Sequence, residues 1–168
     1  RKNLRRLAVA YNEFRKGKSE YPCLVLAGGK GWLNQELMNT IKELDLDTDV
    51  KLVSYVPENH ICTLMSGALS FVFPSIYEGF GMPPLEAMAC GVPVLTTHAA
   101  SLPEVVDDCA MICSPYHTDE MTNCLEKLYL DSKLRHELSA AGIKRARLFS
   151  WENAAAILYN VYKEALGG

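Results

Sequence analysis

Residues 74–94 decide the fold, and they read PSIYEGFGMPPLEAMACGVPV. The stretch runs from the end of a strand through a glycine loop into a helix, and then into a second strand. Pro83 and Pro84 favour a first helical turn, where their missing N–H groups would have had no intrahelical partner. Gly91 favours the end of that helix. This order of elements predicts one parallel crossover of an α/β sheet.

The same alternation of strands and helices continues on both sides. Short apolar runs bounded by turn residues predict five strands, at 23–27, 50–55, 69–73, 92–96 and 110–113. Apolar residues at helical spacing predict helices at 4–14, 32–44, 58–67 and 83–90, followed by three more after Pro115. We therefore expect a Rossmann-like open parallel sheet with helices on both faces and a C-terminal helical segment.

The start of the chain departs from this pattern. A doubly wound domain normally begins with a strand, whereas this sequence begins with basic residues and a helix. We expect residues 1–168 to form a single domain from which the first, central strand is absent. That absence would leave a gap in the sheet or an edge open to pairing.

Composition excludes several classes of function. The net charge is −3, without a long run of one sign, which argues against a nucleic-acid partner. No apolar run approaches the length of a transmembrane helix, and no signal peptide is recognisable at the start. The six cysteines form no CxxC pair, and most lie in apolar segments. We expect them to be buried free thiols in a reducing cytoplasm, and we expect no metal site.

The glycine loop carries the candidate chemistry. Gly79 and Gly81 let the backbone approach a ligand, and the N–H groups at the start of the next helix suit a phosphate. Glu78 lies in the loop and Glu86 in the first turn of that helix, so both carboxylates can face one crevice. Carboxylates accept hydrogen bonds from sugar hydroxyls. The loop therefore predicts a site for an anionic sugar nucleotide.

These residues resemble the signature of a known family. Glu78 and Glu86 form the E-x7-E motif of family 4 retaining glycosyltransferases, and the surrounding block is similar to that family's signature. Further elements agree in order along the whole chain: RKNL at 1–4, AGGKGW at 27–32, YVP at 55–57, SLPEV at 101–105 and FSW at 149–151. The chain is identified as the C-terminal, donor-binding half of such an enzyme, which has a GT-B fold.

The resemblance implies a role for each motif residue. Glu86 would bind the ribose hydroxyls of the donor, and Glu78 the hydroxyls of the transferred sugar. Lys2 would neutralise the departing pyrophosphate. Four neighbouring residues would hold the diphosphate and sugar through backbone N–H groups: Gly79, Phe80, Gly81 and Met82. Val56 would contact the base through its main chain, and Gly29 and Lys30 would approach the base or phosphates. Apart from the resemblance, Trp151 is expected to be a packing residue.

The implied reaction is transfer of a hexose from a nucleoside diphosphate to an acceptor hydroxyl, with retention of configuration. The RKNL and GGKGW elements are most similar to mannosyltransferases that use GDP-mannose in polysaccharide assembly, while a UDP-glucose-type donor is the alternative. The family needs no metal or other cofactor. Whether the reaction is front-face or proceeds through a covalent intermediate stays open.

The acceptor, a glycan or lipid-linked glycan, would bind to an N-terminal domain outside residues 1–168. Through that half the enzyme could lie at the inner face of the membrane. The chain alone should bind donor weakly and transfer nothing. A different class of function, a non-catalytic binding module on the same fold, is also open.

Overall fold

The structure is a computed structural model that describes residues 1–29 and 35–167. The strands are β1 (Leu24–Ala27), β2 (Val50–Val53), β3 (Phe71–Val72), β4 (Val94–Thr97) and β5 (Met111–Cys113). The helices are α1 (Leu4–Arg15), α2 (Gln35–Glu43), α3 (Glu58–Ser66), α4 (Met82–Ala89), α5 (Leu102–Val106), α6 (Thr118–Leu130), α7 (Ser132–Ala146) and α8 (Trp151–Ala165). All five predicted strands are present within a few residues of their expected bounds. Helix α5 and a 3-10 turn at Asp107–Cys109 were not predicted.

The strands form two parallel sheets instead of one. In the first, β1 pairs with β2, with Leu24 opposite Val50. In the second, the order is β3-β4-β5, with Phe71 opposite Val94 and Leu95 opposite Met111. Within residues 1–29 and 35–167, no strand pairing joins the two sheets. Among the described residues the strands therefore pair as two separate sheets, and the expected absence of a first strand stays a prediction.

Strand β4 shows why helices cover both sheet faces. All four of its residues are buried, and successive side chains point to opposite faces. Val94 packs in a cluster with α4 residues such as Met88, whereas Leu95 packs in a second cluster with α1 residues such as Leu7. The predicted α/β architecture is thus confirmed, and it leaves the carboxyl ends of the strands free to carry a site.

Two sequence-based expectations about burial are wrong. Trp151 is 85% exposed, and every described residue of α8 is exposed as well, so this side chain contributes little to the core. Among the cysteines, Cys113 is buried, but Cys23 and Cys62 are exposed and the other three are half-buried. Apolar neighbours in sequence do not guarantee burial when an element lies at the edge of the fold. Across the described residues, no helix has the length and apolar character of a membrane span.

Candidate functional site

The glycine loop enters α4 through a backbone conformation that requires glycine. Gly81 has φ +112° and immediately precedes α4, in a region that L-residues rarely adopt. A Cβ at this position would also lie 2.7 Å from Cδ2 of Leu102. Leu102 is fully buried, so it cannot easily move away. Close packing and backbone geometry together fix where the loop meets the helix, which starts one residue earlier than predicted.

Replacing Gly81 with alanine is therefore expected to destabilise the chain by about 2 kcal/mol, from backbone strain and overpacking. Gly79→Ala is the matched control, because a Cβ at Gly79 would meet no atom within 4 Å. Urea unfolding followed by circular dichroism measures both. Equal stabilities of the two variants would contradict this account of the loop.

Lys2 and Glu78 form a half-buried ion pair. Lys2 Nζ donates to Glu78 Oε1 at 2.8 Å, and Ser75 Oγ donates to the same oxygen at 2.8 Å. The side chains are 17% and 11% exposed, respectively. Lys2 Nζ also lies 4.5 Å from the centre of the Phe73 ring. These contacts hold the predicted cation and the predicted sugar-binding carboxylate together at the end of β3.

The charge of Glu78 is maintained by this arrangement. Burial raises the pKa of the carboxyl, but the hydrogen bonds from Lys2 and Ser75 and the positive charges of Lys2 and Arg1 outweigh it, so that the pKa is lowered overall. Glu78 is thus an ionised acceptor at neutral pH. An ionised carboxylate accepts hydrogen bonds from hydroxyls and donates none.

Asn3 positions Lys2. It has φ +60° at the N-terminus of α1, a conformation that asparagine tolerates better than most residues. Its Nδ2 donates to the carbonyls of Pro74 at 3.0 Å and Pro115 at 2.8 Å. The N–H of Ile76 also donates to the carbonyl of Arg1 at 2.9 Å. The start of α1 is therefore fastened to the loops that follow β3 and β5.

The glycine loop itself is held by Ser101, which immediately precedes α5, and by Phe149. Ser101 Oγ donates to the carbonyl oxygens of Glu78 and Phe80, at 3.1 and 2.8 Å. Phe80 makes an edge-to-face contact with Phe149, with ring centres 5.9 Å apart. The Phe80 and Met82 side chains are 43% and 48% exposed. The loop backbone is thus fixed from one side, while its outer face remains open to a ligand.

Glu86 lines a cavity, named here the Glu86 cavity, of about 470 Å³. Its wall includes apolar side chains, among them Val56, which follows β2. The lining residues are Tyr55, Val56, Glu58, Ile61, Cys62, Met65, Glu86, Ala89 and Cys90. Small-molecule sites commonly have this size and combine apolar walls with a few polar groups. This composition suits a nucleoside, whose base is flat and whose ribose offers hydroxyl donors.

Lys2 lines a second concavity, named here the basic hollow, of about 760 Å³. The lining residues are Arg1, Lys2, Asn3, Leu4, Arg5, Arg6, Val9, Glu36, Leu37 and Ile76. Four of these side chains are cationic and one, Glu36, is a carboxylate. Such a balance favours phosphate groups, because clustered cations concentrate the potential that attracts an anion.

The structure thus divides the predicted crevice. Glu86 and Val56 line the Glu86 cavity, whereas Glu78 is held by Lys2, which lines the basic hollow. Gly29 is exposed just beyond β1, and Lys30 lies outside the described residues. That the two concavities hold parts of one donor stays a prediction.

Sequence reasoning missed three residues that organise the site: Ser75, which bonds Glu78; Asn3, which fastens α1; and Ser101, which holds the loop. All three lie within or beside the motifs that carry the resemblance. Serine and asparagine are also common turn and cap residues. Only their contacts with distant segments distinguish a site role from a local one.

Comparison with known proteins identifies the family. The sequence pattern described as "Glycosyl transferases group 1" matches residues 1–145. The chain is 37% identical over 164 residues to O-antigen chain mannosyltransferase B of Escherichia coli, covering 97% of this chain and 43% of that protein. It is 35% identical over 130 residues to the MMP alpha-(1->4)-mannosyltransferase of Mycolicibacterium hassiacum, covering 75% of this chain and 32% of that protein.

Solved structures agree. The fold matches the C-terminal domain of a glycosyl transferase group 1 family protein from Francisella tularensis with a TM-score of 0.75 and 25% identity, covering 88% of this chain and 79% of that domain. The chain spans less than half the length of the two mannosyltransferases it matches. The expected likeness to one half of a GT-B glycosyltransferase is thereby confirmed, and the chain belongs to the group 1 family of glycosyl transferases.

Proposed function

We propose that this chain is the donor-binding half of a retaining mannosyltransferase that uses GDP-mannose. One observation carries the proposal: a cation-lined hollow and a carboxylate-lined cavity both lie where parallel strands end. Val56, which lines the Glu86 cavity, follows β2, and Ile76, which lines the basic hollow, follows β3. Ligands of open α/β sheets bind beyond the carboxyl ends of the strands.

The two concavities divide the donor by charge. The Glu86 cavity receives the nucleoside, with Glu86 accepting hydrogen bonds from the ribose hydroxyls. The basic hollow receives the diphosphate, with Lys2 as its half-buried cation. Glu78, next to Lys2, accepts from the sugar hydroxyls, and the loop N–H groups of residues 79–82 contact the sugar and phosphate.

The chemical demand on this half is neutralisation of the leaving pyrophosphate. Lys2 meets it by electrostatic stabilisation of charge that grows in the transition state. In the structure Lys2 already pairs with Glu78, so donor binding exchanges part of that pairing for contacts with phosphate oxygens. We propose that no metal or organic cofactor takes part, because a cation supplied by the protein serves this role.

Support for mannose comes from the relatives. Both mannosyltransferases described above match this chain at 35% identity or more, and the RKNL and GGKGW elements carry the same resemblance. We propose an acceptor glycan or lipid-linked glycan that binds to an N-terminal half, in cytoplasmic polysaccharide assembly at the inner membrane face.

Separate calorimetric titrations of the chain with GDP and UDP test the donor. We expect GDP to bind at least about 10-fold more tightly than UDP, a discrimination that a few base contacts can supply. Tighter binding of UDP would instead assign a UDP-sugar donor. If neither nucleotide binds at millimolar concentration, the donor-binding assignment is wrong.

A catalytic half and a non-catalytic binding module differ in one measurement. Joined to an N-terminal acceptor-binding half, the chain should transfer mannose from GDP-mannose. The chain alone should bind the donor weakly but should not transfer mannose. Radiolabelled sugar transfer measures both. Turnover by the isolated chain would contradict the proposed division of labour, and a joined enzyme that binds donor without turnover would favour the binding module.

A further inference from the structure

Two thiols face each other on the wall of the Glu86 cavity. Cys62 belongs to α3, and Cys90 immediately follows α4. Their sulfur atoms lie 3.2 Å apart although the residues are 28 positions apart in sequence. A disulfide has an S–S distance of about 2.05 Å, so an approach of about 1 Å would bring the sulfurs to bonding distance.

The two sulfurs differ in accessibility. Cys90 donates its S–H to Cys62. Burial raises the pKa of Cys90 to about 11, assisted by the hydrogen bond to Cys62 and by the charge of Cys62. Cys62 is exposed, and its sulfur lies 3.9 Å from Ser66 Oγ. Cys62 is therefore the sulfur that an oxidant reaches first, and Cys90 is the thiol that then attacks the oxidised Cys62 sulfur.

We propose that Cys62 and Cys90 form a redox-sensitive modification site, in which a reversible disulfide ties α3 to α4 across the wall of the Glu86 cavity. A peroxide is the oxidant class. The Cys62 thiolate attacks one peroxide oxygen and the O–O bond breaks, which gives a sulfenic acid and, after protonation, water. Cys90 then attacks the Cys62 sulfur, the S–O bond breaks and a second water leaves. A thiol reductant reverses the bond by exchange.

The other hydrogen-bonded thiol pair provides an internal comparison. The hydrogen bond between Cys113 and Cys124, together with burial, raises the pKa of Cys113. Cys113 is only 2% exposed, so the core shields this pair from a dissolved oxidant. Of the four cysteines in these two pairs, Cys62 is the one that is exposed.

The consequence for the ligand rests on the proposed function. Glu86 lies one helical turn before Cys90 on α4, and Val56 lies two residues before the start of α3. Drawing the sulfurs together narrows the cavity between these two helices. The disulfide form should therefore bind the nucleoside part of the donor less tightly, and bound nucleotide should slow disulfide formation, because the two effects are linked.

Peptide mass mapping tests the bond without any nucleotide. The reduced 168-residue chain is treated with hydrogen peroxide, remaining thiols are alkylated, and the digest is analysed before and after reduction. We expect a linked Cys62–Cys90 peptide pair, lighter by two hydrogen atoms than the free pair, in the unmodified chain and in the control Cys109→Ser. It should be absent from Cys62→Ser and from Cys90→Ser. Oxidation of Cys62 to sulfinic acid with no linked pair, or a Cys113–Cys124 link forming first, would overturn the proposal.

Nucleotide titration of the reduced and oxidised chains tests the effect on the cavity. We expect GDP, or UDP if that is the nucleotide bound by the reduced chain, to bind about 10-fold more weakly after oxidation, within the usual range of coupling between two sites. Reductant should restore the affinity, and peroxide should leave the affinity of Cys62→Ser unchanged. A disulfide that forms with no change in affinity refutes the coupling. If the reduced chain binds neither nucleotide, the proposed function fails and the coupling fails with it, while mapping still decides the disulfide.

Discussion

Replacing Lys2 with alanine is expected to lower mannose transfer by about 100- to 1000-fold, the effect of losing one preorganised group that stabilises transition-state charge. The measurement is kcat and KM of an enzyme in which this chain is joined to its acceptor-binding half. We expect the loss mainly in kcat, since the charge on the leaving pyrophosphate grows during the reaction. In the chain alone, affinity for GDP should fall while affinity for guanosine stays the same.

Two controls separate this effect from general damage. Lys16→Ala removes another lysine that is ion-paired with a glutamate, but one that lies on the surface with 62% exposure, and it should leave transfer unchanged. Lys2→Ala also leaves the half-buried Glu78 without its ion-pair partner. The double variant Lys2→Ala/Glu78→Gln restores charge balance, so a stability loss caused by the unpaired carboxylate should be smaller in it. Wild-type kcat in Lys2→Ala would exclude a catalytic role for Lys2.

Replacing Glu86 with alanine is expected to weaken nucleotide binding by about 10- to 1000-fold, because one or two hydrogen bonds from hydroxyls to a charged acceptor are lost. In contrast to Lys2→Ala, guanosine and GDP should lose affinity equally, since both carry the ribose. Calorimetric titration of the chain measures both ligands.

A thermodynamic cycle makes the ribose assignment specific. A nucleotide without the 2′ and 3′ hydroxyls should bind weakly to the original chain. Glu86→Ala should cause no further loss of affinity for this nucleotide. Glu58→Ala is the matched control, because Glu58 lines the same cavity and has no assigned hydroxyl contact. If Glu86→Ala weakens the deoxygenated nucleotide as much as GDP, Glu86 acts on the shape or charge of the cavity and not on the ribose.

The two variants together test whether one donor occupies both concavities. Lys2 lines the basic hollow and Glu86 lines the other cavity. If one GDP molecule occupies both concavities, each single variant should lower the affinity of the chain for GDP. A variant that affects only inorganic pyrophosphate or only guanosine would indicate two independent sites.

The sequence alone determined the local elements and the family. Strand β4, the proline-started helix α4 and the glycine loop follow from interactions between residues a few positions apart, such as the φ preference of Gly81 and the missing N–H groups of Pro83 and Pro84. Local preferences of this kind can be predicted directly from the order of the residues. The E-x7-E spacing of Glu78 and Glu86 is equally local.

Only the tertiary structure decided how the site is assembled. Lys2 reaches Glu78 across 76 positions, Asn3 reaches the carbonyl of Pro115 across 112, and Cys62 meets Cys90 across 28. A hydrogen bond or ion pair contributes too little free energy to close such loops by itself. The buried clusters on the two faces of β4 bring these segments together, and the polar contacts then form at distances that no spacing in the sequence encodes.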